Sequence, residues 1–283
     1  MHKAFLVHRA RLGRSRFWRA KSSTANHAGW IGLSSLSTLC AYCQQSLDGR
    51  SWGMLCAGCY ADMQQLWQQY LRCWRCGQNL HQINGLAAQA QRPFYWCRAC
   101  RRQDWAWQRV AVVTDYAQPW SLWIQLLKQF KRWQLARPMG ELIGQAWLKL
   151  PQPRPSGPTL WLPIPARPQA LRQRGFNQAS ELARYAVKQV PQAKLRHALR
   201  WQKTAMPHLQ AQKWRSRQQR RYDRRHAFVA SAAVRGQIVV LVDDVLTTGF
   251  TLQAAARACL DAGARAVWGA VFARTPLAAS RAN

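Results

Sequence analysis

The stretch Ile238-Val239-Val240-Leu241-Val242-Asp243-Asp244-Val245-Leu246-Thr247-Thr248-Gly249-Phe250-Thr251 constrains the fold more than any other part of the chain. Five aliphatic residues in succession suit a central parallel strand, buried on both faces. The residues after Thr251 are Ala-rich and helix-forming, so the turn between falls at the carboxyl end of a strand and the start of a helix. In open α/β sheets ligands bind at that edge, and a helix start offers backbone N–H groups and a positive dipole end to an anion. The hydroxyls and amides of Thr247, Thr248 and Thr251 suit phosphate oxygens, and Gly249 permits close backbone approach or positive φ. Asp243 and Asp244 then face ribose hydroxyls or a hydrated divalent cation. The expectation is an α/β fold with a sugar-phosphate site.

Composition sharpens this reading. The chain has ten acidic residues against forty-two Lys and Arg, and two of the ten are adjacent here. A plain helix-capping role accounts for one acid or for Thr251, but it does not ask for the whole turn. The other common phosphate loop, G-x-x-x-x-G-K-[ST], occurs nowhere in the sequence.

Eight of the nine cysteines fall in four C-x-x-C pairs: Cys40 with Cys43, Cys56 with Cys59, Cys73 with Cys76, and Cys97 with Cys100. Each pair can place two thiolates on one metal, so the count gives two tetrahedral Cys₄ zinc sites. Gly77, directly after Cys76, fits a tight knuckle in which a backbone amide approaches a ligand sulfur. Four pairs combine into two sites in three ways, and spacing does not choose among them; sequential pairing is the preferred one. A disulfide framework is the competing reading, and the phosphate site, with its cytosolic and reducing setting, argues against it. Cys259, alone in the apolar segment after the turn, reads as core.

A formal charge of +32 makes polyanions the leading partner class, with nucleic acid the first candidate. Sixteen Trp interleave with Arg, as at Arg72-Cys73-Trp74-Arg75 and Asp104-Trp105-Ala106-Trp107-Gln108-Arg109, and can either stack on unpaired bases or serve as packing. No run approaches the roughly twenty apolar residues that span a bilayer, so any membrane contact is peripheral. Residues 1–39 are basic and acid-free and read as a disordered extension; their composition resembles a transit peptide or a basic arm. A second basic run holds Lys213, Arg215, Arg217, Arg220, Arg221, Arg224 and Arg225, either an electrostatic footprint or a solvated loop over the phosphate site.

From Trp107 the pattern becomes α/β. Val110–Val113 reads as a strand, Trp120–Phe130 as an amphipathic helix, and Leu160–Pro165 as a second strand. That strand exits into Arg172-Gln173-Arg174-Gly175-Phe176-Asn177-Gln178, an anion-suited loop that starts a helix through Ala186.

The Asp-Asp-x-x-Thr-Thr-Gly-x-Thr run resembles the phosphoribosyl-pyrophosphate (PRPP) loop of type I phosphoribosyltransferases. With Pro163, Pro165, the Arg174-Gly175-Phe176-Asn177-Gln178 run and the preceding C-x-x-C pairs, the chain from Cys40 to Arg274 resembles the ComF family, whose members are linked to DNA uptake or use of external DNA. Tyr116 and the Leu127-Lys128 pair also match that family's spacing. The Arg-rich segment ending at Asp223, before Ala227-Phe228, departs from its Arg and Asn pattern.

The resemblance implies a type I phosphoribosyltransferase-like parallel sheet flanked by helices over 107–276, preceded by a double Cys₄ zinc ribbon over 40–106 and followed by a tail, 277–283. It implies that Asp243 and Asp244 contact ribose and that Val245, Leu246, Thr247, Thr248, Gly249, Phe250 and Thr251 wrap the 5-phosphate of PRPP. Arg172, Arg174, Gly175, Asn177 and Gln178 become a pyrophosphate or substrate loop. Structural Zn²⁺ and PRPP-bound Mg²⁺ are the expected metals. The expected partners are single-stranded DNA and proteins of the uptake machinery, in the cytoplasm or peripherally at the inner membrane. Two functions follow: a phosphoribosyltransferase, or a non-catalytic single-stranded DNA adaptor in which the PRPP site is a sensor or relic.

Overall fold

The computed structural model describes residues 39–40, 43, 45–47, 55–61, 72–80, 95–118, 120–202 and 227–276. The extension over 1–38, the basic run 213–225 and the tail 277–283 lie outside the described residues. In chain order the elements are α1 (Arg98–Arg102), β1 (Val110–Asp115), α2 (Trp120–Gln129), α3 (Ala136–Leu148), β2 (Thr159–Pro163), α4 (Pro168–Arg174), α5 (Gln178–Ala186), β3 (Ala193–Leu195), β4 (Leu199–Trp201), β5 (Phe228–Ala230), β6 (Ile238–Leu246), α6 (Phe250–Asp261) and β7 (Ala266–Arg274).

Five strands form one sheet in the order β1-β7-β6-β2-β3, every neighbouring pair parallel. β4 and β5 make a separate antiparallel pair. The unbroken apolar run of β6 follows from its place in the middle of the sheet. Val240 and Val242 join one buried cluster with Ile124, Met139, Ile143, Trp161 and Leu182. Val239 and Leu241 join another with Leu160, Leu252, Ala255 and Val271. Successive side chains on a strand point to opposite faces, so a strand covered by helices on both sides has no polar face to display. Full burial of each such aliphatic side chain contributes about 1.5–3 kcal/mol.

The helices are amphipathic where they meet the sheet. In α2 the buried positions are Trp120, Trp123, Ile124 and Leu127, the i, i+3, i+4, i+7 spacing of one helical face. α3 and α5 approach closely because Gly140 and Gly144 lack side chains. A Cβ at Gly140 would lie 2.5 Å from the Leu182 carbonyl oxygen, and one at Gly144 would lie 2.6 Å from that of Ala186.

Two expectations are corrected here. The strand that carries the acids does not stop at Val242: it continues to Leu246, paired residue for residue with β7, with Asp243 opposite Val271 and Leu246 opposite Arg274. The acids therefore sit on strand backbone and only the turn from Thr247 leaves the sheet. The Arg-rich segment after β2 is not one loop. Pro168 stands in the first turn of α4, which runs to Arg174, closes at Gly175 and gives way to α5. Proline is pre-set for a helix's first turn, where its missing N–H costs nothing. Among the described residues no helix is long and apolar enough to cross a membrane.

Candidate functional site

The cysteines gather in sequential order. Cys40, Cys43, Cys56 and Cys59 form one group and Cys73, Cys76, Cys97 and Cys100 the other, with the sulfurs of each group all within 4.8 Å of one another. None of the nine cysteines is in a disulfide. The two cross-pair separations, Cys43 to Cys56 and Cys76 to Cys97, are both 3.7 Å. A tetrahedron with metal–sulfur bonds of about 2.3 Å puts its sulfurs roughly 3.8 Å apart, so the groups have the dimensions of Cys₄ zinc sites. Backbone amides also approach the sulfurs: Cys59 N donates to Cys56 Sγ at 3.5 Å, and Cys97 N to Cys73 Sγ at 3.2 Å. Gly77 does not supply that contact. Its amide donates to the Cys73 carbonyl at 2.9 Å, and its φ of 67° lets the knuckle close. The four donors of each group fit a metal such as zinc.

The Thr247–Thr251 turn lies at the carboxyl ends of β6 and β2. Pro163 is opposite Val242, and Ile164 N donates to the Val242 carbonyl at 2.9 Å, so the chain leaves both strands side by side. Gly249 adopts φ 84°, a left-handed conformation that suits glycine, and stands at the N-cap of α6. Thr247, Thr248, Phe250 and Thr251 are exposed, while Leu246 is buried and Val245 half-buried. Asp243, Val245, Leu246, Thr247, Gly249, Thr251, Leu252 and Val271 line a small, partly open hollow of about 250 Å³. The side of this hollow that faces solvent is thus lined by hydroxyls and backbone donors around one carboxylate.

The two acids are held differently. Asp244 is buried and forms an ion pair with Lys128 Nζ at 2.9 Å. Lys128 projects from the last turn of α2, so the Leu-Lys pair picked out by spacing does reach the acid pair. Asp243 keeps part of its surface exposed, and its Oδ1 accepts the Asp244 amide at 2.9 Å. Burial, and next the adjacent Asp244 charge, push the Asp243 carboxyl up to about 8, against the smaller pull of Lys128. An acid held there is short of positive charge, and its oxygen donors suit the hard cation that accompanies a polyphosphate.

Arg274, at the end of β7, went unnoticed in the sequence. It is buried, and one terminal nitrogen donates to the carbonyls of Leu246 at 2.9 Å, Thr275 at 2.8 Å, and Thr247. One guanidinium thus fixes the backbone on which the turn begins. No sequence pattern separates it from any other strand-end cation.

The second cysteine group touches this turn through a short relay. Arg75, inside the Cys73–Cys76 knuckle, donates to the Trp105 carbonyl at 3.0 Å, and Trp107 Nε1 donates to the Arg75 carbonyl at 3.1 Å. The two indoles stack at 4.4 Å. Both lie against Gly249, where a Cβ would come within 3.1 Å of either ring. Gln253 of α6 accepts the Ala106 amide at 2.8 Å. A further tie joins the knuckle to β1: Asp115 accepts from Arg72 at 2.7 Å and from Asn79 at 3.0 Å, and a Cβ on Gly77 would strike Val112 Cγ2 at 2.2 Å. Trp74, Trp105 and Trp107, which the sequence offered as base-stacking surfaces, are engaged in this packing, with the Arg109 guanidinium 3.5 Å over the Trp74 ring.

The segment after β2 stands apart from this packing. No residue of α4 is buried; Arg172 is exposed and Arg174 half-buried, donating to Gln178 Oε1 at 3.1 Å. Asn177 donates to the Ile164 carbonyl at 3.0 Å and Gln178 is buried. Cys259 lies in the core, where burial pushes its thiol up to about 12.

Residues 170–280 match the phosphoribosyl transferase domain family. Over 236 residues the chain is 30% identical to DNA utilization protein YhgH of Escherichia coli strain K12, covering 81% of this chain and 93% of that one. The protein of that name from Escherichia coli O157:H7 is 32% identical over 177 residues, 60% of this chain and 74% of its own. Competence protein F of Haemophilus influenzae is 27% identical over 224 residues, 75% of this chain and 86% of its own.

Proposed function

The chain belongs to the ComF family of phosphoribosyltransferase-domain proteins, and on that footing we propose that it binds PRPP with Mg²⁺ at Asp243–Thr251 and serves DNA uptake or the use of external DNA. The observation that carries the first part is the turn itself: exposed Thr247, Thr248 and Thr251 around the start of α6, with Asp243 open to the same hollow. The 5-phosphate takes the hydroxyls and amides of the turn, while Asp243 and Asp244 face the ribose hydroxyls or the waters of the cation. Mg²⁺, when bound, neutralises the pyrophosphate leaving group. Asp244 exchanges Lys128 for the sugar, and the Arg172–Gln178 segment, with exposed Arg172 and half-buried Arg174 at the same sheet edge, is the side from which pyrophosphate or an acceptor is reached.

The two Cys₄ groups take structural Zn²⁺ in this reading. Residues 40–106 act as a double ribbon and 107–276 as the phosphoribosyltransferase-like domain. The place of action is the cytoplasm, including the inner face of the inner membrane, with single-stranded DNA and uptake proteins as partners. The names carried by the relatives and the charge of +32 support the DNA part.

A second reading, an adaptor that senses PRPP without turning it over, is favoured by one observation: Lys128 already neutralises Asp244 at 2.9 Å, a ground state suited to a switch. Calorimetric titration of Mg²⁺-PRPP into the native chain and into Asp243→Asn/Asp244→Asn tests the shared premise. Binding by the native chain and its loss in the variant are expected; a well-folded native chain that binds no PRPP overturns both readings of the site. Pyrophosphate release in a screen of nucleobases then separates enzyme from sensor.

A further inference from the structure

With Trp74, Trp105 and Trp107 engaged in packing, the most exposed aromatic side chains among the described residues lie elsewhere. α2 ends at Gln129, and Phe130, Lys131, Arg132 and Trp133 turn the chain toward α3. Phe130 and Trp133 are 55% and 58% exposed, the most exposed large apolar side chains among the described residues. Lys131 between them is exposed and holds φ 52°, a conformation uncommon outside glycine. Arg132 N donates to the Leu126 carbonyl at 3.2 Å and Trp133 N to the Lys131 carbonyl at 2.8 Å, which fix the corner. From Tyr116 to Gly140 the sequence has no acidic residue, while Lys128, Lys131, Arg132 and Arg137 all fall within it.

We propose that this corner is a base-stacking contact for an unpaired nucleic-acid strand, with bases on Phe130 and Trp133 and phosphates beside Lys131 and Arg132. Flat apolar rings interleaved with cations, where the neighbouring acids Asp244 and Glu141 are already paired with Lys128 and Arg137 respectively, match a ligand that presents π faces and negative charge together. A protein partner would have to bring its own acids to an apolar contact, whereas a single strand carries both features at every nucleotide. The corner begins two residues beyond Lys128, whose ammonium touches Asp244, so a strand held there passes the sugar-phosphate site. The inference rests on the DNA part of the proposed function and is independent of PRPP binding.

Fluorescence anisotropy with a labelled oligothymidylate of about fifteen nucleotides tests it on the full chain, since stacking footprints run to about 4–16 nucleotides. Phe130→Ala/Trp133→Ala is expected to weaken binding on the order of a hundredfold, roughly tenfold per ring, without changing the salt dependence. Lys131→Gln/Arg132→Gln is expected to lower the log–log salt slope by about 1.4, two phosphate contacts' worth for a single strand. Thermal unfolding and Mg²⁺-PRPP titration of both variants are expected to match the native chain, because Phe130, Lys131 and Trp133 are exposed and Arg132 is half-buried outside the core. Native-like oligonucleotide affinity in the aromatic variant overturns the assignment while leaving the DNA reading standing. Loss of self-association with oligonucleotide binding intact overturns it in favour of a contact between copies. Absence of oligonucleotide binding by the native chain overturns the corner and the DNA reading together, whatever PRPP does.

Discussion

Cys40 and Cys59 of the first cysteine group pack among the side chains of the main core, with Leu55 fully buried beside them and Tyr60 hydrogen-bonded to Gln145 of α3. The second group makes a small core of its own with Leu80, Tyr95, Trp96 and Trp105, and it reaches the rest of the protein through polar ties, the Trp105–Trp107 stack, the Arg109 guanidinium over Trp74 and the close contacts at Gly77 and Gly249. The linkers differ too: the pairs are 13 residues apart in the first group and 21 in the second. Identical ligand spacing thus serves two physical ends. The first group extends the apolar layer over α2 and α3, so what it supports is stability. The second abuts β1 and, through Arg75, Trp105 and Trp107, the backbone at Gly249, so what it supports is the geometry of the Thr247–Thr251 turn.

Separating those two roles gives the largest expected effect. Cys73→Ser/Cys76→Ser and Cys40→Ser/Cys43→Ser should each lose one zinc per chain by atomic absorption. Only the first should also weaken Mg²⁺-PRPP binding, by about 2–3 kcal/mol or roughly a hundredfold in Kd. The second should instead lower the unfolding midpoint, since it opens the main core. Equal losses of PRPP affinity in the two variants would erase the distinction.

A smaller effect isolates the relay from the metal. Trp105→Ala removes the ring beside Gly249 while leaving all eight cysteines, and is expected to weaken Mg²⁺-PRPP binding by about tenfold, or 1.4 kcal/mol, with zinc content unchanged. If zinc falls with affinity, the indole serves the metal group and not the turn.

The smallest effect reads the acid at the far end of the relay. With its carboxyl raised to about 8, Asp243 binds its proton more tightly in the folded chain than in the unfolded one. The folded state then holds more protons between the ordinary carboxylate value and pH 8, and stability falls as pH rises through that window. Asp243→Asn removes this liability. Without ligand, its melting temperature should match the native protein's near pH 4 and exceed it by a margin that widens as pH rises toward 8. A gap that is constant with pH would mean that packing, not ionisation, sets the difference.

How much of this was visible in advance depended on how local the signal was. The β6 strand, the turn and α6 follow from an apolar run, a hydroxyl cluster and an Ala-rich segment, each contained within a dozen residues. The cysteine groups were legible for the same reason, and the sequential pairing preferred on weak grounds is the observed one. The strand's extra length was not legible, because Asp243 and Asp244 are poor strand formers that extend β6 only through pairing with β7. The split of the Arg-rich segment had a signal in Pro168 that went unused. Arg274 and Trp105 act on the turn across long sequence separations, and no spacing rule marks a side chain whose partner is a distant carbonyl or glycine.

The strand order carries a lesson about timing. β7 lies between β1 and β6, yet it is made after both, and its last residue, Arg274, holds the carbonyls of Leu246 and Thr247 where the turn begins. During synthesis the β1 side, with its cysteine knuckle, and the β6-β2-β3 side emerge as two incomplete halves, each with a bare apolar edge. Neither can be joined until the final strand slides between them. Assembly on the ribosome therefore does not advance from one end to the other; it waits for a late insertion, and until then the exposed edges are those that chaperones bind and that aggregate when synthesis stalls.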